Sequence, residues 1–299
     1  MHFMDFGRVI TAMVTPFNDE MKLDLEKARK LAVYLIANGS DALVVGGTTG
    51  ESPTLTKEEK LSLFELVKDV AQNKAKVIAG TGSYSTEESI KLTKEAEKIG
   101  LDGVMLVVPY YNRPTQKGLF EHFKAIATTT NLPVMLYNVP SRTGRNMEPE
   151  TVSKLAQIPN IVALKEAAGD MDQVSALRGL LAPDFAIYSG DDSLTLPMMA
   201  LGAKGVVSVA SHIVGNQLKQ MINAFTNGQI NEALAIHLSL MPLFKALFIV
   251  TNPVPVKTAL NMVGLDVGGV RLPLVAAGET EIKVLQDTLE KLNLHKRNN

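Results

Sequence analysis

Lys165 closes the apolar run Ile161-Val162-Ala163-Leu164-Lys165, so its amine has to leave water together with its neighbours. Desolvation disfavours the ammonium form and lowers the pKa, leaving a neutral amine that can attack a carbonyl carbon. The alternative is a lysine at a strand end whose stem lies on apolar surface while its head reaches solvent. Tyr137 holds a matching place, fifth in the run that starts at Pro133, as Lys165 is fifth in its own. If the two runs are neighbouring parallel strands about 4.8 Å apart, phenol and amine meet near the same strand end and can exchange protons. An aromatic barrel filler with a satisfied hydroxyl is the other reading of Tyr137.

Gly47-Thr48-Thr49-Gly50-Glu51 offers two hydroxyls and several backbone amides where a strand gives way to a helix, a setting that suits a small carboxylate. It lacks the glycine and lysine pattern of a nucleotide loop, and a plain tight turn would explain it equally well in isolation. Arg142, within Ser141-Arg142-Thr143-Gly144, could hold a carboxylate bidentately or simply be solvated. Asp191-Asp192 would repel a phosphate. Glu51 and Glu166 are expected to brace their loops or pack outside the barrel rather than act in catalysis, Glu166 facing away from Lys165 because it is the next residue along the strand.

Composition narrows the function classes. Thirty basic against thirty-one acidic residues give a net charge of −1, so nothing draws the chain in bulk to nucleic acid or an anionic membrane. There is no cysteine, which removes disulfides, thiolate nucleophiles and cysteine-bound metals, and fits a cytoplasmic location. His2, His122, His212, His237 and His295 include no pair three to five residues apart, so no local metal-ligand pair is expected. The opening residues do not read as a signal peptide. The most apolar stretch, 238–250, is interrupted by Pro242 and Lys245 and is too short to span a bilayer.

The elements that must position these groups alternate. Short β-rich runs fall at 9–14, 42–45, 76–79, 103–108, 133–137, 161–165, 186–188 and 205–209, with helical periodicity between them. Caps are legible at Thr56 with Glu59, at Ser85 with Glu88 and at Thr115. Eight βα units predict an α/β fold of the (β/α)8 TIM-barrel type, whose active sites sit on the loops after the strands. We read 1–223 as a catalytic barrel and 224–299 as a C-terminal helical subdomain with helices at 216–227, 230–248, 254–263 and 279–292 spanning the junction and the tail.

Gly47-Thr48-Thr49-Gly50-Glu51, Pro109-Tyr110-Tyr111-Asn112, Tyr137-Asn138-Val139-Pro140-Ser141-Arg142-Thr143-Gly144 and Lys165-Glu166-Ala167 resemble, in order and spacing, the signature segments of the 4-hydroxy-tetrahydrodipicolinate synthase family. These enzymes, also called dihydrodipicolinate synthases, belong to the pyruvate-dependent Schiff-base aldolases. The resemblance spans about residues 9 to 274. It implies a lyase of lysine and diaminopimelate biosynthesis in which Lys165 forms an imine with pyruvate and the derived enamine adds to L-aspartate 4-semialdehyde. It further implies that Tyr137, Thr48 and Tyr111 relay protons, with Tyr111 entering from a neighbouring subunit of a homotetramer built as a dimer of dimers.

By the same resemblance Thr49 binds the pyruvate carboxylate, Arg142 binds the semialdehyde carboxylate, and backbone carbonyls near Gly190 and Val207 line the pocket. No cofactor or metal is needed, because the lysine acts as electron sink. An N-acetylneuraminate lyase or a 2-keto-3-deoxy-sugar acid aldolase is the neighbouring alternative, disfavoured by Arg142. A non-catalytic keto-acid-binding barrel would leave Lys165 and Tyr137 unexplained. Sensitive family members bind L-lysine at a subunit interface, and Ser52, Glu88 and Tyr110 match contacts of that site. Lys57 and Lys60 stand where two histidines are expected, and Tyr84 where an asparagine is. Weak or absent inhibition by lysine is therefore expected.

Overall fold

The computed structural model describes residues 5–294, so the readings of residues 1–4, His2 and His295 lie outside the described residues. Eight parallel strands close into a barrel in chain order: β1 Val9–Ala12, β2 Ala42–Val45, β3 Lys76–Gly80, β4 Gly103–Val107, β5 Val134–Asn138, β6 Ile161–Glu166, β7 Ala186–Ser189 and β8 Gly205–Ser208, with β8 pairing back onto β1. This is the TIM-barrel architecture that the alternation of runs predicts. The strand ends shift by one or two residues: β5 starts at Val134, since Pro133 has no N–H to donate, although its carbonyl accepts from Val104.

The strands are buried on both faces, which is why they read as nearly continuous apolar runs. Their inward side chains, among them Ile10, Val44, Ile78, Met105, Met135, Ala163 and Val207, form an inner core. Outward ones such as Leu43, Val77, Leu106, Leu136 and Leu164 pack under the helices in a second, larger core. The helix starts follow their caps. Thr56 and Glu59 make a reciprocal capping box before Lys57–Ala71, Ser85 accepts from Glu88 N–H before Thr86–Ile99, and Thr115 accepts from Gly118 N–H before Gln116–Ala127.

The helix after β8 runs over Ser211–Thr226, starting earlier than the periodicity suggests because a kink with non-helical angles at Val214 breaks the pattern. The reading of a boundary at 223 falls inside this helix. Beyond it, Ile230–Ala246, Val254–Met262 and Glu279–Lys291 are helical. The segment from 252 to 271 reaches back onto the barrel rim. Lys257 Nζ donates to Thr15 O at 2.8 Å and to Glu51 Oε1 at 2.9 Å, and Arg271 binds Glu59 at 2.6 Å. Both cations lie over the ring of Phe17, at 4.2 and 4.3 Å from its centroid. No helix among the described residues is long and apolar enough to cross a membrane.

Candidate active site

The register of β5 and β6 sets Tyr137 directly opposite Lys165. Both side chains point into the barrel, and Lys165 Nζ lies 4.2 Å from the centroid of the Tyr137 ring. Lys165 is 5% exposed. Burial lowers its pKa from the ordinary 10.5 to about 7; the negative charge of Asp192 opposes the shift and the nearby Arg142 adds to it. Gly190, at the end of β7, lies against the lysine stem: a Cβ there would come within 2.6 Å of Ala167 Cβ and 3.1 Å of Lys165 Cε. Only a residue without a side chain leaves the amine its place.

Burial also pushes the Tyr137 phenol up, a shift that the Arg142 charge and a hydrogen bond from Thr48 moderate. The tyrosine is therefore protonated at neutral pH and able to donate. Thr48, Tyr110, Tyr137 and Arg142 border a cavity of about 200 Å³, lined as well by Gly46, Gly47, Met105 and Val107. That is below the roughly 300 Å³ at which pockets for drug-sized ligands begin, and it suits small acids. Arg142 stands on the four-residue helical turn Pro140–Thr143, which Gly144 ends in the left-handed region at φ +67°. Its guanidinium donates to the backbone carbonyl of Asn252 at 3.3 Å.

Thr49, next in the chain to the cavity-lining Thr48, is buried and does not itself border the cavity; its hydroxyl oxygen accepts from the side-chain amide of Asn252 at 2.9 Å. Val207 lies on the inner face of β8 opposite Ile10 and does not border the cavity. Tyr111 is not brought to the site of its own chain: it is 94% exposed, with a left-handed backbone at φ +71°. The residues matched to the effector site do come together beside the cavity. Ser52 and Tyr110 line it, Tyr84 meets Tyr110 edge-on with centroids 5.3 Å apart, and Glu88 is close enough to favour the charged form of the half-buried Lys60. Lys57 lies 3.8 Å from Glu95.

Glu166 and Glu51 brace, as expected. Glu166 accepts from Asn138, Gln173 and the Ala168 N–H on the outer face of β6, and Glu51 accepts from Lys257 and the Arg271 N–H. Three residues near the site have contacts that the sequence did not reveal. Asp192, one of the acidic doublet expected to repel phosphate, is buried, and its carboxylate accepts from Ser208 and from the Val209 and Ala210 N–H groups at 3.0 and 2.9 Å. Burial pushes it up to about 6 despite those bonds. Asn252 and Lys257 lie more than 200 positions from their partners Thr49 and Glu51, so no local pattern announces them.

A model of the Dihydrodipicolinate synthetase family matches residues 5–292. The chain belongs to that family. A 4-hydroxy-tetrahydrodipicolinate synthase from Desulforamulus reducens is 61% identical over 98% of this chain and 100% of its own length. Among solved structures, a dihydrodipicolinate synthase from Bacillus anthracis superposes with a TM-score of 0.94 at 54% identity, covering 96% of this chain and 98% of that one. The enzyme from Cyanidioschyzon merolae, solved with lysine bound, gives 0.95 at 51% identity over 98% of this chain and all of that one. Membership accounts for the order and spacing of the four motif segments, and the geometry shows how the family's barrel is realised in these residues.

Proposed function

We propose that the chain is a 4-hydroxy-tetrahydrodipicolinate synthase, condensing pyruvate with L-aspartate 4-semialdehyde on the route to diaminopimelate and lysine. The observation that carries this reading is the buried Lys165 amine, brought to about pKa 7 and packed on the Tyr137 ring, in a barrel of this family. At neutral pH about half of such an amine is neutral and able to attack the keto carbon of pyruvate. Loss of water gives the imine, and removal of a methyl proton turns it into an enamine. The enamine carbon adds to the semialdehyde's carbonyl carbon, whose oxygen takes up a proton. The substrate's own amine then attacks the imine carbon and expels Lys165 as the ring closes.

Each of these steps moves a proton, and a placed acid or base contributes about two to four orders of magnitude. Tyr137, protonated and hydrogen-bonded to Thr48, fills that role. Thr49 and Arg142 hold the two carboxylates, and Tyr111 completes the relay from a neighbouring subunit, which its exposure in a single chain supports. Reduction with borohydride in the presence of pyruvate should inactivate the enzyme and leave one reduced pyruvyl group on the Lys165 peptide by mass spectrometry. Turnover should occur with the semialdehyde and not with N-acetylmannosamine. A label elsewhere, or turnover of the amino sugar, would overturn the reading.

We further infer weak or absent inhibition by lysine, from Lys57, Lys60 and Tyr84 standing where other residues are expected. Glu88, the carboxylate available for the effector's amine, already has Lys60 beside it, and Lys57 adds a second cation to the helix. Bringing a cationic effector between them costs more than it would beside neutral imidazoles. Initial rates at subsaturating pyruvate should stay nearly unchanged up to about 1 mM lysine, a Kd equivalent to about −4 kcal/mol. Half-inhibition at or below that concentration would refute this.

A further inference from the structure

The hydroxyl of Thr49 has a single hydrogen-bond partner among the described residues, the side-chain amide of Asn252, and in that bond it accepts. A threonine hydroxyl has one proton to give and two lone pairs. With a lone pair occupied by an amide that itself donates, the proton is committed to nothing in the protein. It is then free for an incoming anion. Thr49 is 3% and Asn252 5% exposed, so water does not freely compete for either group. Asn252 belongs to the segment between the helices Ile230–Ala246 and Val254–Met262, outside the eight strands, and its backbone carbonyl takes the Arg142 guanidinium at 3.3 Å. One residue thus touches both groups assigned to carboxylates, but through different atoms.

We propose that Asn252 is a positioning residue for the keto acid: its side-chain amide fixes the Thr49 hydroxyl as a hydrogen-bond donor aimed at the α-carboxylate of pyruvate, while only its main chain supports Arg142. This rests on the assignment of Thr49 to the pyruvate carboxylate. Removing the side chain releases the hydroxyl to rotate and costs the first substrate its oriented donor. It leaves the carbonyl that Arg142 uses. The two substrates should therefore respond differently, which a merely structural role would not produce.

The test uses the whole enzyme and pyruvate as the probe. Half-saturation for pyruvate is read from cyanoborohydride trapping on Lys165, which needs no second substrate, and the semialdehyde KM is read from turnover at saturating pyruvate. Asn252→Ala should raise the pyruvate value about tenfold, some 1.4 kcal/mol, and change the semialdehyde KM less than twofold. In a Thr49→Val background the same substitution should add nothing, because the group it acts through is gone. Asn252→Ser, which keeps a short donor, should lie between wild type and Asn252→Ala, and it carries the comparison if the alanine variant fails to fold. Equal shifts for both substrates, or additive effects of the Thr49 and Asn252 substitutions, would overturn the proposal. If wild-type enzyme is not trapped on Lys165 at all, the failure lies with the proposed function instead.

Discussion

A lysine whose pKa is near 7 ties activity and stability to pH in the same sense, both rising as the proton leaves. Neutral amine is the attacking form, so the rate of trapping by pyruvate and cyanoborohydride at subsaturating pyruvate should climb through about pH 7 and level off about one unit above it. Arg142→Ala removes a charge that lowers this pKa, and the midpoint should move upward. For folding, the unfolded chain binds the Lys165 proton up to about pH 10.5 while the folded chain releases it near 7. The unfolded state thus holds more protons in that window, and this residue's contribution to stability rises with pH from about 7 to 10.5. At pH 7 it opposes folding. Lys165→Met, close in length and uncharged, should therefore raise Tm by a few degrees while abolishing turnover, and a lower Tm would show that the amine is not desolvated at folding's expense.

Among the elements, the turn after β2 is held from outside the barrel. Glu51 adopts a left-handed backbone at φ +56° directly after Thr48-Thr49-Gly50, and its buried carboxylate is matched by the equally buried Lys257, each 2% exposed. Lys257→Met would strand that carboxylate, and removing one partner of a buried pair costs about 3–5 kcal/mol. The unfolding midpoint should fall by several degrees, and Glu51→Gln with Lys257→Met should regain part of it; a double variant worse than the single one would mean that Lys257 acts through Thr15 or Phe17 instead. What could be read from sequence follows the same division. The strands, the caps at Thr56 and Ser85 and the pairing of Tyr137 with Lys165 are local or repeat along the chain, so periodicity and spacing reveal them. Asn252, Lys257 and Asp192 owe their contacts to chain segments meeting across the rim: the acidic doublet could be read as hostile to phosphate, but not as buried on the amides after β8, and a lone asparagine has no local pattern at all.

The whole molecule leaves one part of its proposed relay unsupplied. Tyr111 stands 94% exposed beyond its own cavity, and under the proposed function another copy of the chain supplies this tyrosine. Mixed oligomers of inactive Tyr111→Phe and inactive Lys165→Ala should regain activity, since some sites then combine an intact lysine with an intact tyrosine. Verified hybrids without recovery would return Tyr111 to its own chain. The barrel is more self-sufficient on its other side. Many barrels reserve the amides after their last two strands as a seat for a substrate's phosphate. Here Asp192 sits in that seat, a resident anion tethered by the chain and so present at an effective concentration that a dissolved phosphate cannot easily match. The molecule has in this way narrowed its clientele from within: the place where a phosphorylated metabolite would anchor is already taken, and what remains open is a chamber for small, unphosphorylated acids.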